Sequence, residues 1–84
     1  NGIIRNYKDI TVEGKLTLVI PGRKKPVAPV FDCSAEMDVI YNGLAYTLPQ
    51  GKSTVTDIVL GEGEHELTFV GHGVISVDYR GGSL

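Results

Sequence analysis

Glycine and proline divide this chain of 84 residues into short apolar segments, and that division most constrains what it can fold into. Eleven glycines and four prolines interrupt the sequence, and no segment keeps apolar residues at helical spacing for three turns. Within the segments, apolar and polar residues alternate, which places the apolar ones on one face of a strand. With turn signals every roughly 8–12 residues, the pattern predicts an all-β fold, a small antiparallel β-sandwich or jelly roll.

Residues 36–48 give the clearest local prediction, a β-hairpin. Asn42-Gly43 is the preferred dipeptide for a two-residue type I′ turn, and this turn sets the register of the two strands. A slip of one residue would turn the apolar face into water, so the register should be well specified. The expected pairs, all on that apolar face, are Tyr41 with Leu44, Val39 with Tyr46, and Met37 with Leu48.

The sequence pattern of residues 64–80 predicts a second β-hairpin. Gly71-His72-Gly73 is interpreted as the turn that reverses residues 64–70 into residues 74–80. Alternate residues of the two limbs would then form one buried face, and they are His65, Leu67, Phe69, Ile75, Val77 and Tyr79.

Shorter strands are expected elsewhere in the chain. Residues 15–20 alternate between apolar and polar faces, and Pro21-Gly22 after them is a strong turn signal. Residues 23–29 are predicted to form a basic loop, because the prolines there cannot donate to a sheet. The remaining expected strands are residues 3–7 and 9–13 at a sheet edge, residues 30–33, and residues 53–60 after a turn at 49–52.

Length and charge limit the function classes. A chain of this length is expected to form one domain, residues 1–84, and to bury only about 60–68% of its unfolded surface. Its net charge of −2 provides no field that would attract nucleic acid or an anionic membrane. No apolar run approaches the roughly 18 residues of a membrane span, so no membrane insertion is expected. Because the chain begins at Asn1 rather than at a methionine, we expect it to be part of a longer protein.

Few residues could carry catalytic or metal chemistry. The single cysteine, Cys33, cannot form an internal disulfide, which favours assembly in a reducing cytoplasm. Its only conceivable catalytic partners are His65 and His72, but its apolar neighbours favour a core position instead. A surface metal site of Asp78 with either histidine lacks the usual ligand spacing. We therefore predict no enzyme activity, no metal site and no cofactor.

Two features stand outside the alternating pattern and are the candidate contact sites. Arg23-Lys24-Lys25 is a basic cluster that either is simply solvated or meets an acidic partner or anionic wall polymer. Three of the four tyrosines fall in register with apolar strand residues, and the exception is Tyr7, whose neighbours are polar. Tyrosines can also stack on sugars, but the chain has no tryptophan. The predicted partner-binding residues are Tyr7, Arg23, Lys24 and Lys25.

A series of short motifs runs through residues 30–84. The first is the predicted hairpin with the turn Pro49-Gln50-Gly51 that follows it. The later motifs are, in order, Ile58-Val59-Leu60, the glycine turn 61–63, Leu67-Thr68-Phe69, Gly71-x-Gly73, and a closing Val77-x-Tyr79-Arg80-x-Gly82-x-Leu84.

This order of motifs resembles the C-terminal domain of the distal tail protein of long-tailed phages and prophages, the phage tail component family. His65 departs from the family pattern, in which we would expect an asparagine after Gly63-Glu64. The resemblance implies a galectin-like β-sandwich on the outside of a hexameric ring that joins the tail tube to the tip or baseplate. It also implies that an N-terminal domain outside this chain builds most of that ring.

The function implied by the resemblance is structural. The domain would pack against or position other tail and baseplate proteins, and it would reside in the virion tail after assembly in the cytoplasm of the bacterial host. The family has no catalytic residues to carry over. The alternative is a carbohydrate-binding module that contacts a host cell-wall glycan, and the missing tryptophan makes the scaffold role the preferred one.

Overall fold

The computed structural model describes residues 6–22 and 24–79, and within these ranges the protein is all-β. All of the strand pairs are antiparallel, which confirms the fold class predicted from the sequence. No helix in this part of the chain is long and apolar enough to cross a membrane. The strands are β1 (Asn6–Pro21), β2 (Val30–Cys33), β3 (Met37–Tyr41), β4 (Leu44–Leu48), β5 (Gly51–Ser53) and β6 (Glu64–Asp78).

Strand β6 is the centre of a single sheet. β1 pairs with it along one edge, from Pro21 opposite Glu64 to Asn6 opposite Asp78. β3 and β2 share its other edge, and β4 and β5 lie outside them at the two ends of the sheet. β2 and β3 keep one register with β6, because Cys33 pairs with Ile75 and Asp38 pairs with Val70. The two short strands therefore act as one long strand that is interrupted at residues 34–36.

The long strands must bend to fit the molecule. A straight strand of sixteen residues like β1 would span about 50 Å, whereas the longest dimension of the protein is 31 Å. The sheet curls over its own core, so that residues from its two halves meet. Phe31 of β2 packs edge-on against Phe69 of β6, with ring centroids 5.9 Å apart. The result is a sandwich-like fold in which both layers belong to one continuous sheet.

The core fills the concave side of this curl. Apolar side chains from every strand except β5 contribute to it, together with side chains from the two loops that flank the sheet. No polar or charged residue in the described ranges is buried. The buried hydrophobic residues of this core are Val12, Ile20, Val27, Phe31, Cys33, Met37, Val39, Tyr41, Leu48, Ile58, Leu60, Leu67, Phe69, Ile75, Val77 and Tyr79.

The predicted turn at Gly71-His72-Gly73 is wrong, because β6 runs through these residues without reversing. The glycines are needed instead for close approach between strands. A Cβ atom on Gly71 would lie 2.7 Å from the Cβ of Met37, and one on Gly73 would lie 2.8 Å from the Oγ of Ser34. The interrupted segment between β2 and β3 therefore passes directly against β6, where only glycine leaves room for it.

The hairpin at Asn42-Gly43 is confirmed in every predicted pair. Asn42 and Gly43 have φ angles of 52° and 79°, as a type I′ turn requires, and Tyr41 pairs with Leu44. The apolar face extends beyond the core, since Leu44 at the tip of the hairpin is 60% exposed.

Two other predictions need correction. The edge strands expected at residues 3–7 and 9–13 belong, where described, to the single strand β1, in which a bulge between Tyr7 and Ile10 adds one residue. The strand expected at residues 53–60 is replaced by Gly51–Ser53, which begins within the turn expected at residues 49–52. Ile58 and Leu60 are buried from an irregular loop, and only Leu60 pairs, through a single bridge to Val27. The strand at residues 30–33 and the loop character of residues 24–29 are confirmed.

The close approach at Gly71 can be tested by adding one methyl group. We expect Gly71→Ala to lower the free energy of unfolding by about 1–3 kcal/mol, because the new Cβ overlaps the backbone-proximal Cβ of Met37. Gly61→Ala is the matched control, since the nearest atom to its Cβ position is the Cγ of Pro26 at 4.0 Å. The control should stay within about 0.5 kcal/mol of the parent in urea unfolding. Equal effects at both positions would contradict the close approach of Gly71 to Met37 as the cause.

Candidate functional site

An open groove of about 580 Å³ lies on the outer face of the sheet. It lies where the bulge of β1 meets β6, β2 and β5. The residues that line it are Lys8, Asp9, Val30, Asp32, Lys52, Ser76 and Asp78.

Strand pairing explains how these residues come together. Asp32 on β2 lies between Lys52 on β5 and Ser76 on β6, as its Cα partners on the two sides. Side chains alternate along a strand, and the residues that flank Asp32 and Ser76 face the core. Asp32 and Ser76 therefore project from the opposite, outer face. The short separation between paired strands brings them into one row.

The bulge of β1 closes one side of the groove. Asp9 has a φ angle of 55°, a left-handed conformation that aspartate adopts more readily than most residues other than glycine. Its backbone N–H donates a hydrogen bond of 3.0 Å to the Oγ of Ser76. This bond fixes the bulge against β6 and places both Lys8 and Asp9 at the rim of the groove.

The chemistry of the groove is polar binding. The described residues of its lining provide three carboxylates, which accept hydrogen bonds, and two ammonium groups, which donate them. They also provide one hydroxyl, which can do both. Among the described residues no aromatic side chain lines it, and these residues provide no flat apolar surface on which a sugar ring stacks. In residues 6–22 and 24–79 no cluster of three or more His, Cys, Asp or Glu residues could hold a metal ion.

A second, smaller recess lies between the β3–β4 turn and the start of β6, with a volume of about 280 Å³. Its histidine, His65, is fixed by two hydrogen bonds of 2.8 Å. The Gly61 carbonyl can only accept, so the Nε2 of His65 must donate to it. In the neutral ring, Nδ1 then accepts from the hydroxyl of Tyr41. His65 thus ties the glycine turn before β6 to the hairpin, which is a structural role.

Cys33 does not form a nucleophilic pair with either histidine. Both ring nitrogens of His65 are bonded to other groups, and His72 is exposed whereas Cys33 is buried among core residues. Burial raises the pKa of the Cys33 thiol above its ordinary value, and the neighbouring Asp32 carboxylate raises it further. The thiol is therefore held in its unreactive, protonated form.

The candidate contact residues are not brought together. Tyr7 is half-buried and stacks on Tyr79 with ring centroids 6.0 Å apart, so its assignment to a position outside the core pattern is wrong. Lys24 and Lys25 are exposed in the loop that follows the opposite end of β1. Arg23 lies outside the residues that the structure describes. A contact role for these four residues stays a prediction.

The groove could not be predicted from the sequence, because its residues come from four separate strands. The available signal was the outward register of two predicted strands, in which Asp32 alternates with Phe31 and Cys33, and Ser76 and Asp78 alternate with Val77. That signal shows which residues face outward but not which strands are neighbours. Only the pairing of β2 with both β5 and β6 brings these residues into one row.

Comparison with known proteins adds no assignment. No protein-family profile, curated protein or solved structure matches this chain.

The raised pKa of Cys33 predicts a pH dependence of stability. Below the thiol's ordinary pKa of 9.0 both folded and unfolded states keep the proton, so stability is unaffected. As the pH rises above that value the unfolded thiol ionises first, and the folded state loses stability. Cys33→Ala costs packing at neutral pH, but its deficit relative to the parent should shrink between about pH 8.5 and pH 10. Urea unfolding of both proteins across this range measures the deficit, and a constant deficit would contradict the prediction.

The structural role of His65 predicts a cost for losing its hydroxyl partner. Tyr41→Phe should lower the free energy of unfolding by about 0.5–1.5 kcal/mol, because it removes one part-buried hydrogen bond without removing the ring. Tyr46→Phe is the control, since Tyr46 is also partly buried and its hydroxyl has no hydrogen bond to the described residues. Chemical denaturation measures both. A larger loss for Tyr46→Phe than for Tyr41→Phe would exclude the proposed role.

Proposed function

We propose that this domain is a non-enzymatic virion structural module of a phage tail tip or baseplate, where it packs against or positions other tail proteins. One observation carries the proposal. The described motifs that resemble distal tail proteins lie on the hairpin β3–β4, on the central strand β6 and in the loop leading into it, within an antiparallel all-β fold of the kind that the resemblance implies. Residues 80–84 of the closing motif lie outside the described residues. In this proposal the domain is the C-terminal part of a longer ring-forming protein, and it resides in the virion tail.

The surface of the domain suits packing against other proteins. Large apolar side chains are exposed on several elements, and such side chains act as anchors when a partner removes them from water. The exposed pair Lys24-Lys25 offers positive charge to an acidic partner surface. The exposed large apolar residues are Val19, Val30, Leu44, Val59 and Val70.

The continuous core of the domain suits a positioning role. Its core spans both halves of the curled sheet, and a partner fixed to one half is held at a defined distance from a partner on the other. The binding energy then comes from surface complementarity, and no reacting group is needed.

A second candidate function is binding of a host cell-surface carbohydrate, and the polar groove favours it. Carboxylates such as Asp32 accept hydrogen bonds from sugar hydroxyls, and ammonium groups such as that of Lys52 donate to them. The lack of an aromatic lining ranks this function second, since stacking on a ring normally supplies much of the apolar contact with a sugar.

Two double variants separate the candidates. We expect Lys24→Glu with Lys25→Glu to reduce incorporation of the full-length protein into tails by about ten-fold, because it reverses the charge that an acidic partner meets. Asp32→Asn with Lys52→Gln removes charge from the groove and should leave incorporation unchanged. Tails purified after expression of all other tail genes, probed with an antibody to this domain, give the measurement.

The same variants serve the carbohydrate alternative. Cell-wall glycan fragments are titrated against the labelled domain, and amide shifts are followed by NMR. Saturable shifts at Asp32 and Ser76 that vanish in the groove variant would favour the carbohydrate function. Absence of the domain from purified tails, when the protein is expressed with every other tail component, would contradict the structural proposal.

A further inference from the structure

Strand β1 is the longest edge of the sheet. Of the strands in residues 6–22 and 24–79, only β6 pairs with it, so its other edge presents backbone N–H and C=O groups without a neighbouring strand. Long edges are usually protected by bulges, prolines or charges. Here the bulge before Ile10 and the proline at Pro21 protect the two ends, and the charges of Glu13 and Lys15 in the middle disfavour registers that do not pair them with opposite charges. Between these two ends β1 keeps an unshifted register with β6, although Gly14 has a φ angle of 99° and so departs from regular strand geometry. This stretch could accept another strand.

The geometry of β1 restricts how a second copy could pair with it. Backbone groups of successive residues point alternately toward β6 and toward the open edge. In an antiparallel pair, the backbone N–H and C=O groups of two directly opposed residues either all point toward the other strand or all point away from it. Two copies of β1 can therefore oppose only residues of the same parity, so that odd-numbered residues face odd and even-numbered residues face even. These registers place the two-fold axis at a residue, and the axes near the middle of the unshifted stretch are at residues 13, 14, 15 and 16.

The charges of β1 select one of these registers. With the axis at Glu13 two carboxylates face each other, and with the axis at Lys15 two ammonium groups do. With the axis at Gly14, each Glu13 faces the Lys15 of the other copy, so that two opposite-charge pairs form. Both side chains are exposed on the same outer face of the sheet. With the axis at residue 16, neither charge meets an opposite charge.

The same register also places apolar side chains opposite each other on the inner face of the sheet. With the axis at Gly14, Val12 faces Leu16 of the second copy and Ile10 faces Leu18. Ile10, Leu16 and Leu18 are only partly buried within one copy, so pairing would cover apolar surface that remains open. Gly14 itself has a φ angle of 99°, and a Cβ there would meet no atom within 4 Å. A strand glycine with open space on that side is typical of a place where another backbone approaches.

We propose that two copies of this chain associate through the open edges of β1, antiparallel and about a two-fold axis at Gly14. The sheet then continues from one copy into the other, with Glu13–Lys15 pairs on its outer face and aliphatic side chains on its inner face. This association does not depend on the proposed function, because it rests on the edge of β1 alone.

Charge exchange between the two positions tests the proposal. Glu13→Lys alone and Lys15→Glu alone should each raise the dissociation constant of the dimer about ten-fold or more, because each creates like-charge contacts across the axis. The double variant Glu13→Lys with Lys15→Glu restores opposite charges and should return the dissociation constant to within about three-fold of the parent. Lys25→Glu, an exposed change of equal charge in the loop after β1, is the control and should have no effect.

An equimolar mixture of the two single variants gives the sharpest result. One variant carries lysine at both positions and the other carries glutamate at both, so in the mixed dimer every ammonium group faces a carboxylate. The mixture should therefore associate more tightly than either variant alone. Sedimentation velocity over a range of concentrations measures all of these species, and circular dichroism checks that each variant is folded. Amide hydrogen exchange adds a second readout, in which protection of residues 10–18 rises with protein concentration.

Three outcomes would overturn the proposal. The first is a monomer at every concentration up to about 1 mM, which corresponds to an association weaker than about 4 kcal/mol. The second is a dimer that neither single variant weakens, and the third is a mixture of the single variants that associates no better than its components. The first outcome is read from the parent alone and does not depend on the folding of any variant. The other two are read from single variants whose circular dichroism matches that of the parent.

Discussion

The close approach of the Ser34–Met37 connection to β6 is the contact on which the rest of the structure depends. There the chain between β2 and β3 passes against Gly71 and Gly73, and the hydroxyl of Ser34 accepts a hydrogen bond of 2.8 Å from the N–H of Val74. The backbone N–H of Ser34 in turn donates to the Val74 carbonyl. Two short strands therefore keep one register along β6, and the sheet can bend without losing its pairing.

The core follows from that bend. A flat sheet of these strands would leave Phe31 and Phe69 on one exposed face, and burying such a side chain contributes about 1.5–3 kcal/mol. The curl brings the two rings into edge-to-face contact, which the charge distribution of aromatic rings favours. Gly71 and Gly73 lower the intrinsic stability of β6 as a strand. This cost is offset because apolar residues from both halves of the curled sheet become buried.

The fold could be predicted from the sequence where a local motif is compatible with only one structure, and not where it is compatible with two. Asn42-Gly43 has essentially one use between alternating strands, and it predicted the hairpin in full register. Gly71-x-Gly73 has two uses, a turn or a close approach, and the choice depends on where the Ser34–Met37 segment lies. The burial of Ile58 and Leu60 was equally ambiguous, because an alternating apolar pair fits an irregular loop as well as a strand. Each miss needed a tertiary contact that no local pattern contains.

The candidate site and the open edge are consequences of the same architecture. Because β6 lies between β1 and β2, polar residues of β2, β5 and the β1 bulge lie next to those of β6 on the outer face of the sheet. Together they form one groove, which no single strand could form. Because β1 is the last strand on its side of the described sheet, its backbone is available for pairing at the same time. The groove lies at the bulged end of β1, whereas Gly14 lies toward the middle of the strand. A protein that pairs through the centre of β1 would therefore keep its groove open to a further partner.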